Sequence, residues 1–216
     1  MFEIIPGILA HSVEQYGSRL DLIEHSQATW VHVDIMDGQF VPNTSVMPHE
    51  IISLRSSCQI EAHLMTFRPE RYYSDLAVAG VSRVLLHREA FDSLEQCAAA
   101  CKLASDYFAE VGVVLNADTL VEPLQELPIQ VVQCMGVPPG ASGQPFESAA
   151  YDTISLVVMQ GLRVTMAADG AVSEDTARKL QACGVSRFVI TSRLFAGGNL
   201  DENISRFNRI LQGGTV

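Results

Sequence analysis

The sequence predicts an α/β protein folded as one (β/α)8 barrel of the TIM type, spanning residues 1–216. Three observations lead there. Eight short apolar runs alternate with amphipathic stretches from one end of the chain to the other. The runs are rich in Val, Ile and Leu with little polar alternation, as in parallel strands covered on both faces. A chain of 216 residues that is 48% hydrophobic can bury one large core, and no linker or composition break divides it. Strict βα alternation implies a parallel sheet with right-handed crossovers. Eight units in this length favour closure into a barrel over an open doubly wound sheet.

The first run covers residues 4–9 and is followed by a helical stretch at 12–27. Runs at 30–34, 59–65, 83–87, 111–115, 131–135, 163–168 and 187–190 complete the eight. Further stretches at 69–79, 93–105 and 173–183 carry apolar residues at three- and four-residue spacing, and about eight helices are expected in all. Ser173, followed by Glu174 and Asp175, reads as a hydroxyl cap with acids at the positive end of a helix. Gly80 and Gly184 follow helical stretches, where a left-handed residue is expected.

Lys plus Arg is 14 and Asp plus Glu is 25, a net charge of −11. With no basic run, this argues against nucleic acid or an anionic membrane surface as partner. A small anion remains possible, because backbone N–H groups at helix N-termini bind it locally. The five cysteines form no CxxC pair; Cys97 and Cys101 share one helix face and read as packing thiols more readily than as a zinc pair. No secretory pattern opens the chain, and no segment reaches the ~20 apolar residues of a membrane span. A soluble, cytoplasmic protein is expected.

In a barrel of this kind the chemistry sits where the strands end. The second run reads VHVDIMDG, placing His32 and Asp34 two apart and so on one strand face. The third run brings His63 to the rim and the seventh leads to Asp169. Two imidazoles and two carboxylates suit one divalent ion: zinc, iron, manganese or cobalt. Each residue alone has an ordinary structural explanation, as a hydrogen-bonded histidine or a helix-capping aspartate. Their joint position at strand ends favours a shared site. After the sixth run, MGVPPGASGQPF carries Gly136, Gly140 and Gly143 into a helix, a turn able to cradle phosphate. Asp169–Ala171 and Thr191–Ser192 end the last two runs, so three loops are expected to share one anion pocket.

HVDIMDGQFVPN at residues 32–43 resembles the signature of the ribulose-phosphate 3-epimerases. AHLM at 62–65, HREA at 87–90, VVLN at 113–116, PGASGQPF at 139–146 and ADG at 168–170 follow in that family's order. The resemblance runs from about Pro6 to Phe195. It implies a barrel of the ribulose-phosphate-binding type that interconverts D-ribulose 5-phosphate and D-xylulose 5-phosphate through an enediolate. It implies metal ligation by His32, Asp34, His63 and Asp169, and proton transfer by Asp34 and Asp169. It places Met36, Met65 and Met135 around the reacting carbons, although a single methionine serves equally well as plain core. The substrate side would be completed by Gly7, Gly140, Ser142, Gly143, Gln144, Gly170, Ala171, Thr191 and Ser192. Members of the family commonly associate, so a homo-oligomer is expected.

The chain departs from the family pattern mainly on the phosphate side. Gly7 stands where a substrate-touching serine is usual, PGASGQ replaces PGFGGQ, Ala171 replaces a glycine, and Thr191 replaces the glycine after the eighth strand. Asn116–Leu120 lacks the usual prolines. Ala and Thr restrict backbone approach and positive φ, so Thr191→Gly is expected to tighten substrate binding. The alternatives are a 3-epimerase of another ketose phosphate, such as a hexulose 6-phosphate, and a non-catalytic barrel that binds metal or sugar phosphate.

Overall fold

The computed structural model describes residues 2–140 and 143–214. Eight parallel strands close into a barrel in sequence order: β1 Glu3–Ile8, β2 Trp30–Met36, β3 Gln59–Met65, β4 Val81–His87, β5 Glu110–Leu115, β6 Val131–Met135, β7 Thr165–Asp169 and β8 Arg187–Ile190. The closing pair is β1 with β8, in register Glu3↔Arg187 to Pro6↔Ile190. Closure removes every sheet edge, which an open parallel sheet would expose at both sides.

The helices are α1 Val13–Glu24, α2 Pro48–Ile51, α3 Tyr73–Ala79, α4 Leu94–Ala104, α5 Ala149–Met159, α6 Glu174–Ala182, α7 Ser192–Phe195 and α8 Leu200–Leu211. They do not follow the strands one for one. Among the described residues, no helix joins β5 to β6, and two helices follow β8. Pro123 and Pro128 fall in the β5–β6 connection, where each removes a helical donor. Ala117, Leu124 and Leu127 are buried there and cover the barrel wall in place of a helix.

The helix ends follow their local chemistry. Ser12, Ser93, Ser173 and Asn199 each accept a backbone N–H of the first turn. At Ser173 the arrangement is reciprocal, with Thr176 reaching back to the Ser173 N–H. Gly80 and Gly184 take φ of +88° and +102°, as expected after a helix. Cys97 and Cys101 are free thiols buried under α4.

Two kinds of core result. Between barrel and helices lies a continuous apolar layer that includes Ile4, Ile8, Val33, Leu64, Leu86, Val113 and Phe188. Inside the barrel the middle is filled by Leu85, Val114, Val131, Met135 and Ala167. Beside them runs a chain of alternating charges. Arg187 Nε lies 2.6 Å from Glu3, and its Nη1 lies 3.0 Å from Glu110. Arg83 bridges Glu110 at 2.9 Å and Glu61 at 2.5 Å. Its guanidinium stacks 3.8 Å from the Trp30 ring centroid. A buried charge without a partner is costly; here each side chain meets opposite charge, and the chain ends on His32.

Candidate active site

Strand alternation points His32 and Asp34 of β2 inward, with Glu61 and His63 as their cross-strand partners on β3. Asp169 ends β7, three places from β2 around the barrel. The four residues His32, Asp34, His63 and Asp169 converge as the sequence predicts, with one ligand atom of each lying within 4.8 Å of the others. His32 Nε2 is 3.3 Å from Asp34 Oδ1, 3.3 Å from His63 Nδ1 and 3.6 Å from Asp169 Oδ2. His63 Nδ1 is 3.0 Å from Asp34 Oδ1 and 3.4 Å from Asp169 Oδ2. Four ligands held ~2.1 Å from one ion at tetrahedral angles would stand about 3.4 Å apart. The donor set and its spacing therefore fit a single divalent cation.

Each histidine is held from behind. Glu61 accepts the Nδ1–H of His32 at 2.6 Å, and Arg83 fixes the other oxygen of Glu61. His63 Nε2 meets His87 Nε2 at 2.9 Å, and His87 Nδ1 lies 3.2 Å from Glu89. Glu89 in turn accepts the backbone N–H of Asn116 at 2.8 Å and the hydroxyl of Thr119. With His87 neutral, a consistent set of protons runs outward: His63 donates to His87, and His87 donates to Glu89. Such backing turns His32 Nε2 and His63 Nδ1 toward the cluster, where each would offer its lone pair once an ion displaces its proton.

Electrostatics follow the geometry. Burial lowers the pKa of His87 to about 4, against the opposing pull of Glu89. Burial would also lower His32, but hydrogen bonds to Asp34 and Glu61 outweigh it and leave the ring well above its ordinary value. In the same way, His63 is raised through Asp169 and Asp34. Burial pushes Asp34 up, while the two histidines pull its carboxyl below the usual range by a larger amount. Burial pushes Glu61 and Glu89 up, yet each is held at about 2, Glu61 by His32 and Arg83, Glu89 chiefly by His87.

A cavity of about 640 Å³ opens above the cluster and includes Asp34 and Asp169 in its wall. Met36, Met65 and Met135 line it and are each at most 3% exposed. Gly140, Gly143, Gln144, Gly170, Ala171, Thr191 and Ser192 also border it, joined by Arg193. Asn43 donates to the Gly140 carbonyl at 2.6 Å and ties the β6 loop to the β2 loop. Ala171 adopts φ of +51°, a conformation that favours glycine. Ser142 lies outside the described residues. Gly7 is buried on β1 and does not reach the cavity wall; the Thr191 side chain stands over it.

The residues behind the ligands were not picked out from the sequence. Glu61 carried a signal: it lies two positions before His63, on the same strand face, and is a charge within a buried run. Arg83, the third residue of β4, carried the same signal, while Glu110 and Arg187 are half-buried charges that open β5 and β8. His87 and Glu89 lie within the HREA motif, and their role becomes visible only through contacts across β3, β4 and β5.

Fold and site define a (β/α)8-barrel protein with a two-histidine, two-aspartate cluster able to hold a metal ion toward the C-terminal ends of its strands. The profile of the ribulose-phosphate 3 epimerase family matches residues 3–195, and the chain belongs to that family. It is 32% identical over 203 residues to a ribulose-phosphate 3-epimerase of Rhodobacter capsulatus, covering 92% of this chain and 88% of the relative. A ribulose-phosphate 3-epimerase of Bacillus subtilis is 28% identical over 214 residues, covering 95% and 97%. Among solved structures, a tryptophan synthase α-subunit from Pyrococcus furiosus superposes with a TM-score of 0.66 at 16% identity, over 99% of this chain and all of that one. A phosphoribosyl anthranilate isomerase from Thermus thermophilus gives 0.65 at 14%, over 94% and 98%. At these identities the structural likeness concerns the fold alone.

Proposed function

We propose that the protein is a metal-dependent epimerase that inverts C3 of D-ribulose 5-phosphate to give D-xylulose 5-phosphate, and the reverse. The observation that carries this reading is the convergence of Asp34 and Asp169, from separated strands, on one cation-sized cluster in the wall of a single cavity. Inverting a carbon next to a ketone requires removal of a proton from one face and return of a proton to the other. Two carboxylates approaching from different strands suit that task, one as base and one as acid, with the roles exchanged in the reverse direction. The C3 hydrogen is a weak acid, so negative charge on the substrate oxygens must be stabilised as it leaves. A divalent ion held by His32, Asp34, His63 and Asp169 would supply that stabilisation electrostatically.

The chain's own residues supply the rest. Glu61 and His87 hold the two imidazoles in one orientation each. Met36, Met65 and Met135 form an apolar, adaptable wall that limits water at the reacting carbons. The phosphate is assigned to the far side of the cavity, against Gly143, Gln144, Gly170, Ala171 and Ser192. There, backbone N–H groups can meet it despite the net charge of −11, with the Arg193 guanidinium beside them 3.2 Å from Glu174. Residues 1–216 are read as one barrel domain, cytoplasmic and self-associating. Among the described residues, no helix is long and apolar enough to cross a membrane.

The test is conversion of D-ribulose 5-phosphate by purified protein supplied in turn with zinc, iron, manganese and cobalt, alongside metal analysis of wild type and His63→Ala. Turnover with one bound ion per chain, and loss of that ion in the variant, is the expected result. Inertness toward the pentose with C3 hydrogen exchange in a hexulose 6-phosphate would move the assignment to another ketose phosphate. Inertness toward both would leave a binding protein.

A further inference from the structure

Gly7 and Thr191 are interlocked. Gly7 lies on β1, paired with His32 of β2, and faces the barrel interior as Leu9 does. Its backbone is ordinary strand without a positive φ, so glycine is not needed there for conformation. It is needed for space. A Cβ at position 7 would collide with Oγ1 of Thr191 and lie 3.4 Å from Thr191 Cβ and Val189 Cγ1. The inward side chain that β1 lacks is thus replaced by one entering from the end of β8.

Thr191 also forgoes its local role. It occupies the N-cap of α7, where a threonine hydroxyl ordinarily accepts a backbone N–H of the first turn. No such bond forms, and its φ and ψ of −103° and −86° are not those of an extended cap. The hydroxyl is instead aimed over Gly7, at the level of the strand pair that carries His32. Thr191 lies in the wall of the same cavity as Asp34 and Asp169.

We propose that Thr191 is a substrate-contacting, specificity-determining residue. Its hydroxyl bonds an oxygen of the sugar chain on the metal-cluster side of the cavity, and Gly7 exists to make room for it. The proposal rests on the epimerase reading of the site. It reverses the sequence-based expectation for Thr191→Gly, because removing this side chain empties the space over Gly7 and takes away a hydroxyl.

Two measurements test it. In thermal unfolding, Gly7→Ala lowers Tm in the native background and has little effect beside Thr191→Gly. Equal destabilisation in both backgrounds would overturn the interlock. In kinetics with D-ribulose 5-phosphate, Thr191→Val, which keeps the shape without the hydroxyl, loses roughly tenfold in kcat/KM, the worth of one substrate hydrogen bond. Thr191→Ser retains most of the activity, and the pair Gly7→Ser with Thr191→Gly recovers part of what Thr191→Gly loses. Inhibition by inorganic phosphate stays constant across the series. Wild-type kcat/KM in Thr191→Val would overturn the contact, and a parallel change in phosphate inhibition would move it from the sugar chain to the phosphate and overturn it as stated. If wild type does not turn over the pentose phosphate, the epimerase reading fails by itself. Calorimetric titration of the same variants with that ligand then decides the contact, and no binding by wild type overturns it too.

Discussion

Replacing Arg83 with methionine tests whether the buried charge chain supports the site. Arg83 is fully buried and bridges Glu61 at 2.5 Å and Glu110 at 2.9 Å. Methionine keeps much of the apolar volume under Trp30 and removes the charge. Glu110 would still hold Arg187 at 3.0 Å, but Glu61, 1% exposed, would be left with His32 alone. Breaking a buried pair from one side costs about 3–5 kcal/mol, because the remaining charge is uncompensated. For a domain of this size that corresponds to a fall in Tm of roughly 6–20 °C. Equilibrium urea unfolding followed by far-ultraviolet circular dichroism, with metal chelated, measures it without relying on Trp30. Glu61→Gln added to Arg83→Met removes the stranded charge, so the double variant should lose at least about 1 kcal/mol less than the sum of the single losses. A loss below about 1 kcal/mol for Arg83→Met, or simple additivity, would refute the reasoning.

Three further outcomes follow from named geometry. Ala171→Gly relieves a left-handed alanine worth ~1–2 kcal/mol, offset by about 0.4–1 kcal/mol of extra freedom in the unfolded chain; differential scanning calorimetry should show a Tm rise of a few degrees at most, and a fall would contradict the strain. Gly136→Ala should cost about 1–3 kcal/mol in urea unfolding, because its Cβ would meet the Gly170 carbonyl and the Phe146 ring beside the bond from Gly136 N–H to the Asp169 carbonyl; unchanged stability would mean that the β6 and β7 ends give way easily. Glu61 and Glu89 are held at about 2, below the 4.5 usual for a glutamate, so the unfolded chain binds protons first. The stability they contribute is complete above pH 4.5 and is lost as pH falls toward 2. Glu89→Gln should flatten that acid limb in pH-dependent melts, whereas an unaltered limb would exclude Glu89 as its source.

The barrel was legible because parallel strands covered on both faces announce themselves as short aliphatic runs. β3, β6 and β8 match the sequence-predicted runs residue for residue. The missing helix between β5 and β6 was not legible, since Leu124 and Leu127 keep a helix-like spacing while Pro123 and Pro128 prevent the helix. The four-residue cluster could be read because His32 and Asp34 share one face of β2, His63 lies on the next strand and Asp169 ends β7, although β2 and β3 run on to Met36 and Met65. Its supports could not be read as easily. A buried Glu61 or Arg83 makes sense only beside its cross-strand partner, and register is not written in one strand. Nor could sequence reveal that Gly7 and Thr191 share one space, because they are joined only by barrel closure.

The most direct measurement is deuterium exchange at C3 of D-ribulose 5-phosphate in heavy water, followed by proton NMR, for metal-loaded wild type, Asp34→Asn and Asp169→Asn with bound metal quantified in each. The account predicts exchange and formation of D-xylulose 5-phosphate by wild type, and a loss of at least about 100-fold in each variant that exceeds any loss of metal. Wild-type rates of exchange and conversion in either aspartate variant would contradict it.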